Sequence, residues 1–229
     1  MDAVVGLLDG VRARGAFVLR MVLRPPWSMR IEDDAPLTLI CQTHGRAAIV
    51  GDESGTVWLE AGDVALTRGT EHYLFADDPG TAPMVVVHRG QRCTTVAGDD
   101  LRFEMSLGVR TWGNDDNGED RSIICAYEGH SEVSARLLDA LPSVLVLRGN
   151  DWDTTLIDLL AEEAGHDGPG QEAYLDRLLD LLLIAVLRTW FGREENAPPW
   201  WHAEQDPVVG QALRLIYNNP AHPLSLIHI

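Results

Sequence analysis

The sequence predicts a mainly β fold with added helices, in which an antiparallel β-barrel is followed by a helical segment (α+β). Between residues 37 and 88, short runs of strand-forming residues alternate with Gly, Asp and Pro turn signals. From residue 131 onward, the apolar residues instead recur at helical spacing. No helical stretch interrupts the strand region, so we expect a sandwich or barrel rather than βαβ units.

Composition and charge exclude several function classes. The 229 residues carry a net charge of −17, and every basic residue is an arginine. Phosphate groups and anionic membranes repel such a chain, so we expect no direct binding to nucleic acid or to a membrane. The three cysteines are widely spaced and predict reduced thiols rather than a disulfide framework. The sequence shows no signal peptide, and its longest apolar run, 181–187, is too short to cross a bilayer, which indicates a cytoplasmic protein.

The strand region is built from short segments. A short amphipathic helix is expected at 2–11, and a strand at 16–23 stops at Pro25 and Pro26, which cannot continue a hydrogen-bonded ladder. Further strands are predicted at 37–43, 47–50, 56–60, 64–67, 71–75, 84–88 and 122–127. The acidic run 114–120 lacks the spacing of an EF-hand, so we interpret it as an exposed hairpin tip.

The helical region begins with a helix that Ser131 caps and Pro142 ends. A strand at 144–147 follows, and Asp153 then caps a helix that Gly165 ends. These segments place two helices around one further strand before the most apolar part of the chain.

The segment 171–191 is the most hydrophobic helix that the sequence predicts. Its polar residues lie on one narrow stripe, so most of its surface must be buried. Either a helix–helix contact in a dimer or a core within one chain could provide that cover, and both alternatives stay open. The residues assigned to dimerisation are Leu175, Leu178, Leu179, Leu182, Leu183 and Val186.

Residues 194–205 contain Pro198, Pro199 and two tryptophans, and we interpret them as a linker. Asp206 followed by Pro207 is typical of a helix start, with the aspartate as N-cap and the proline in the first turn. This helix should end near residue 218, before an Asn-Pro pair.

One short stretch resembles a known family signature. Gly62 and Asp63 precede the short strand 64–67, and Gly69 is followed three residues later by His72. This spacing resembles that of the cupin β-barrels. The resemblance implies that the predicted barrel is cupin-like.

Short motifs along the chain, in the same order, resemble the N-terminal sensor half of AraC-family transcription regulators. They are LDGVRARG at 8–15, PPW at 25–27, GDVA at 62–65, ADDP at 76–79, GQRC at 90–93, LLDALP at 137–142, LDRLLDLL at 175–182 and DPVVGQAL at 206–213. The resemblance implies a cupin-like sensor domain at 1–130, a helical and dimerising segment at 131–193, a linker at 194–205 and the first helix of a helix-turn-helix domain at 206–229. The basic recognition helices that should follow are absent, so we expect a truncated product or a fragment.

The interior of the predicted barrel could bind a small molecule. The residues assigned to its pocket are Trp27, Trp58, Arg68, His72, Tyr73 and His88. Because side chains alternate between the two faces of a strand, some of these should point outward.

The enzyme alternative is a metal-dependent cupin of the dioxygenase or isomerase type. Such cupins use two histidines one residue apart, and this sequence has no His-x-His; His44, His72 and His88 stand alone. We therefore expect no catalytic residue, no metal and no cofactor. The expected function is effector sensing in a one-component regulator that is not an enzyme, with a small-molecule effector and a second copy as partners and DNA bound only through the missing domain. A third alternative is a stand-alone dimerisation module that antagonises full-length relatives.

Overall fold

The computed structural model describes residues 17–52, 54–69, 71–127 and 135–218. The helix expected at 2–11, the cap expected at Ser131 and the last eleven residues, 219–229, lie outside these ranges. Within the described residues the chain forms thirteen strands and five α-helices.

Twelve of the thirteen strands in the described ranges lie within the first 127 residues. They are β1 Phe17–Leu23, β2 Ser28–Glu32, β3 Leu37–His44, β4 Arg46–Gly51, β5 Gly55–Glu60, β6 Val64–Arg68, β7 Tyr73–Ala76, β8 Val85–His88, β9 Arg92–Thr95, β10 Ser106–Gly108, β11 Thr111–Gly113, β12 Asp120–Tyr127 and β13 Val144–Leu147. The predicted strands are confirmed, whereas β2, β9, β10 and β11 were not predicted.

Two mixed sheets face each other. One has the order β10-β11-β1-β12-β3-β6-β13, and the other has the order β5-β4-β7-β2-β8-β9. The pairs β1–β11 and β2–β8 are parallel, and all other pairs are antiparallel. The predicted fold class, mainly β with added helices, is confirmed. The strands form a sandwich of two mixed sheets rather than an antiparallel barrel, because each sheet has two edge strands and one parallel pair.

The seven-stranded sheet separates two hydrophobic cores. Its successive side chains alternate between the faces, as strand geometry requires. Leu39 and Cys41 on β3 enter the core that is shared with the helices, while Ile40 between them enters the space between the sheets. On β12, Ile123 and Ile124 divide in the same way.

The helices are α1 Ala135–Asp139, α2 Thr155–Ala164, α3 Gln171–Phe191, α4 Pro199–Gln205 and α5 Pro207–Asn218. The bounds of α3 are those that the sequence predicts. Near the start of α2, Asp153 Oδ1 accepts a hydrogen bond from Thr155 N at 3.0 Å. At α5, Asp206 Oδ1 accepts hydrogen bonds from the backbone N–H groups of Val208 and Val209 at 2.9 and 2.8 Å. Asp206 is thus the N-cap that the sequence predicts.

The segment predicted as a linker is largely helical. It contains the 3₁₀ turn Glu194–Asn196 and helix α4, in which Pro199 occupies the first turn. Trp200 and Trp201 pack against Phe191 at the end of α3, with ring centroids 5.4 and 5.5 Å away. Aromatic packing of this kind stabilises a fixed arrangement. The role of 194–205 as a linker between domains stays a prediction.

The Gly62-Asp63 turn has a structural role. Gly62 has φ +92°, a conformation that glycine adopts without strain. Asp63 is buried, and its carboxylate accepts hydrogen bonds from Glu60 N at 3.0 Å, Gly149 N at 2.9 Å and Arg148 Nη1 at 2.7 Å. The turn is therefore fixed to the connection between β13 and α2.

No helix among the described residues is long and apolar enough to cross a membrane.

Candidate functional site

A cavity of about 460 Å³ lies between the two sheets. Its lining residues come from the inward faces of both sheets and from the loops at one end of the sandwich. They are Phe17, Leu19, Met21, Met29, Ile31, Asp33, Thr38, Ile40, Tyr73, Phe75, Val87, Gly90, Gln91, Cys93, Arg102, Ser106, Gly108, Arg110, Thr111, Trp112 and Ile124. This volume is within the range of small-molecule binding pockets.

The inner walls of the cavity are apolar. Met21, Met29, Ile40, Phe75 and Trp112 are all buried members of the core between the sheets. Their side chains come from five β-strands of the two sheets, so the sandwich itself holds them in position. Such a surface binds the apolar part of a ligand through the hydrophobic effect.

Tyr73 and Cys93 are among the polar side chains that interrupt these walls. The hydroxyl of Tyr73 lies 3.4 Å from Thr67 Oγ1, and burial raises the pKa of Tyr73 above its ordinary value. Cys93 Sγ lies 3.8 Å from the carbonyl oxygen of Gln91, and burial, followed by the charge of Asp100, raises the pKa of the Cys93 thiol to about 11. Both groups are neutral at pH 7 and can take part in hydrogen bonds to a ligand.

One side of the rim is held by two neighbouring carboxylates. Asp33 Oδ2 accepts a hydrogen bond from Gln91 Nε2 at 3.0 Å. Asp34 lies 3.0 Å from His72 Nε2 and 2.6 Å from Arg89 Nε, and these two bonds lower the pKa of Asp34. The β2–β3 connection is thereby joined to the β6–β7 turn through His72 and to the β8–β9 turn through Arg89 and Gln91.

The other side of the rim carries two arginines. Arg102 and Arg110 both line the cavity, and Arg110 Nη1 donates a hydrogen bond to the carbonyl oxygen of His166 at 3.0 Å. His166 belongs to the connection between α2 and α3. Arg110 therefore contacts the helical layer while it lines the cavity.

Backbone strain is concentrated at this rim. Within the described ranges, the non-glycine residues with positive φ are Asp34 at 51°, Gln91 at 55° and Arg110 at 43°. Gln91 and Arg110 line the cavity, and Asp34 follows the lining residue Asp33. Strained residues of this kind tend to cluster at binding sites, so they support a functional role for this end of the sandwich.

The structure brings one of the six predicted pocket residues, Tyr73, to the cavity wall. Trp27 is buried next to the cavity, where its Nε1–H donates to Asp120 Oδ2 at 2.8 Å and its ring meets Phe75 edge to face. Trp58 lies on the outer face of the six-stranded sheet, with the Arg46 guanidinium 4.7 Å from the centre of its ring. Neither tryptophan lines the cavity.

The other three predicted pocket residues also lie elsewhere. Arg68 faces the helices and donates to the carbonyl oxygen of Leu138 at 3.0 Å. His72 is exposed at the rim, and His88 Nε2 lies 3.0 Å from Thr94 Oγ1. The role of all six residues in ligand binding stays a prediction.

The six residues assigned to dimerisation lie in the core between α3 and the seven-stranded sheet. Leu175 and Leu178 are 4% and 6% exposed, and the other four are fully buried. Intramolecular packing therefore provides their cover. A contact with a second copy would use the opposite face of α3, where Tyr174 and Leu181 are 49% and 53% exposed.

The three histidines of the metal alternative do not come together at the cavity. His44 ends β3 and is exposed, while His72 and His88 have the contacts described above. In the parts of the chain that the structure describes, no group of three or more His, Cys, Asp or Glu side chains is arranged to hold a metal ion.

Sequence reasoning missed most of the cavity. The apolar wall could have been found from the alternation on β1 and β2, where Met21 and Met29 face inward. No alternating pattern marks Arg102 and Arg110, because they lie in an irregular part of the chain and the residues they meet, such as His166, are distant in sequence. Their meeting is a product of the tertiary fold.

The cupin family profile matches residues 2–192. No curated protein sequence matches the chain. Among solved structures, apo ToxT from Vibrio cholerae in a variant form is similar over 92% of this chain and 67% of that chain, with 8% identity and a TM-score of 0.43.

Two further structures show the same range of similarity. ToxT from Vibrio cholerae with an unsaturated fatty acid bound covers 92% of this chain and 65% of its own length, with 9% identity and a TM-score of 0.38. The AraC-like transcriptional activator CuxR covers 83% and 54%, with 14% identity and a TM-score of 0.34. The chain thus spans between about half and two thirds of the length of these proteins. Because the family profile covers residues 2–192 of 229, this chain belongs to the cupin family.

Proposed function

We propose that this cupin domain is the small-molecule-sensing part of a one-component transcription regulator of the AraC type. The cavity of about 460 Å³ carries this proposal, because it combines an apolar interior with polar groups at one end. Such a site binds a small organic ligand without requiring a metal or a cofactor.

The chemistry of the cavity favours binding over catalysis. A catalytic cysteine needs a lowered pKa, since the thiolate is the nucleophile, whereas burial raises the pKa of Cys93 to about 11. Burial likewise raises the pKa of Tyr73. Both changes keep these groups neutral, as suits a hydrogen-bonding pocket.

The regulatory part of the proposal rests on the ordered AraC-type motifs in the sequence. The last of them coincides with helix α5, whose N-cap is Asp206. In a complete regulator, a helix-turn-helix domain that begins with this helix would bind promoter DNA, and the cavity's ligand would control that binding. We further propose a cytoplasmic homodimer, with the exposed face of α3 around Tyr174 and Leu181 as the contact.

A fluorescence titration with N-phenyl-1-naphthylamine, a neutral apolar probe, tests the cavity. We expect saturable binding of one probe per chain. The variant Cys93→Phe places a ring in the cavity and should weaken binding at least tenfold. Its matched control is Arg92→Phe, because Arg92 precedes Cys93 on β9 and is exposed.

Either of two results would contradict the proposed function. One is the absence of saturable binding to the wild-type protein. The other is equal binding by the two variants, which would place the probe outside the cavity. Circular dichroism of both variants shows whether each retains the native fold.

A further inference from the structure

We propose that the natural ligand of this cavity is an apolar molecule with a single acidic group, and that Arg102 and Arg110 bind that group at the rim. This inference rests on the proposed function, since it names the ligand class of the same cavity. The charged side chains at the cavity differ in whether they already have hydrogen-bond partners, and this difference carries the inference.

Asp33 is the carboxylate among the described residues that line the cavity, and both of its oxygens already accept hydrogen bonds. Asp33 Oδ1 accepts a hydrogen bond from Ala35 N at 3.2 Å, and Asp33 Oδ2 accepts one from Gln91 Nε2 at 3.0 Å. These bonds stabilise the carboxylate and the loop that carries it. Asp33 is therefore used to build the rim, and it does not form an ion pair with either arginine in the described structure.

The Arg102 side chain has no such partner. Its guanidinium makes no hydrogen bond or ion pair with residues 17–52, 54–69, 71–127 or 135–218. Its backbone N–H is fixed by Asp100 Oδ1 at 2.8 Å, which holds the start of the side chain at the rim. The positive charge of Arg102 acts on the thiol of Cys93 inside the cavity.

The Arg110 side chain uses one of its donors. Its Nη1 donates to the carbonyl oxygen of His166, and it makes no other hydrogen bond within the described residues. A guanidinium has five N–H donors in a planar fork, so Arg110 can hold an acidic group and still contact His166. Its backbone is held as well, since the Arg110 carbonyl oxygen accepts from Arg20 N at 2.7 Å.

The described residues that line the cavity include two arginines, Arg102 and Arg110, and one carboxylate, Asp33. The protein carries a net charge of −17, which repels anions from most of its surface. Two arginines with unused donors beside an apolar cavity are a local exception. Arg110 is half-buried beside the apolar walls, so a charge-assisted hydrogen bond to it is stronger than one on the open surface, whereas Arg102 is exposed and contributes its charge from the mouth of the cavity.

Two fluorescent probes with the same rings test this proposal. N-phenyl-1-naphthylamine is neutral, and 8-anilino-1-naphthalenesulfonate carries one sulfonate on the same ring system. We expect Arg102→Gln and Arg110→Gln each to weaken the binding of the sulfonate probe by about tenfold, the size of one lost charged hydrogen bond. Binding of the neutral probe should change less than about twofold in both variants, since the rings contact the apolar walls.

Arg92→Gln is the matched control, because it removes the same charge from an exposed site outside the cavity. It should leave the affinity for both probes unchanged, and raising the salt concentration should weaken only the sulfonate probe. If all three variants bind the sulfonate probe alike, the acidic-ligand proposal is wrong although the cavity still binds apolar molecules. If neither probe binds the wild-type protein, the proposed function fails as well.

Discussion

Cys93 offers a direct chemical test of the cavity, because the three cysteines lie on different sides of the seven-stranded sheet. Cys93 lines the cavity, whereas Cys41 and Cys125 are fully buried in the core beneath the helices. A small uncharged reagent such as N-ethylmaleimide should therefore modify Cys93 alone in the native protein. The rate of this reaction reports both the burial of the thiol and access to the cavity.

The expected rate follows from the pKa of the Cys93 thiol, which burial raises to about 11. At pH 8 such a thiol is ~0.1% thiolate, whereas an unperturbed cysteine is roughly 24% thiolate, a difference of about 240-fold. A more basic thiolate is intrinsically more reactive, by about tenfold for this difference in pKa. We therefore expect Cys93 to react about twentyfold more slowly than a free cysteine.

Mass spectrometry of the intact protein measures the number of adducts and their rate of formation. We expect a single adduct, a rate that rises about tenfold per pH unit between pH 8 and pH 10, and strong protection by N-phenyl-1-naphthylamine. The variant Cys93→Ser should form no adduct in its native state. A rate that levels off above pH 8.5 would show that Cys93 is not buried. Two or three adducts formed at equal rates would refute the placement of Cys41 and Cys125.

Three further predictions concern stability. Asp63→Ala leaves the backbone N–H groups of Glu60 and Gly149 without an acceptor and breaks the ion pair with Arg148, which keeps its bond to the Trp58 carbonyl oxygen. It should lower the free energy of unfolding by about 3 kcal/mol, whereas Asp52→Ala in an exposed turn should change it by less than about 0.5 kcal/mol. Urea unfolding measures both, and equal losses would contradict the role of Asp63. Leu182→Ala should cost about 2–5 kcal/mol in the same assay because Leu182 is fully buried, and a near-zero cost would contradict its place in the core. Burial raises the pKa of Cys41 to about 12 and also raises that of Cys125. The unfolded thiols therefore lose their protons at a lower pH than the folded ones, so the stability present below about pH 8.5 should be lost as the pH rises toward 12. A melting temperature that stays constant between pH 8 and pH 10.5 would contradict this.

The elements that could be predicted are those in which the local pattern and the tertiary contacts agree. Helix α3 has the predicted bounds because Gly170 and Gly192 flank a continuous apolar pattern. Strand β2 was missed although Met29 and Ile31 alternate with polar residues, because the segment is short and follows two prolines. The alternation was present in the sequence and would have identified the strand.

The site was harder to predict because the face of a strand depends on its register. Val57 and Leu59 face the space between the sheets, so Trp58 between them faces solvent. A shift of one residue would reverse this assignment, and the sequence around Trp58 alone does not decide it. Arg102 and Arg110 could not be found in this way, since only the tertiary fold brings their irregular segment to the cavity.

A sensor differs from a simple carrier in that an occupied cavity must change something outside it. Arg110 meets this requirement, because it lines the cavity and also bonds to His166 in the connection that leads into α3. A ligand's acidic group would bond to the free donors of the guanidinium that also holds the His166 carbonyl oxygen, and the geometry of Arg110 would then depend on occupancy. The inner face of α3 is buried against the seven-stranded sheet, so α3 is a rigid element. A change in the α2–α3 connection would therefore act on a packed helix and not only on a loop. This linkage favours a regulatory domain over a protein that only stores its ligand.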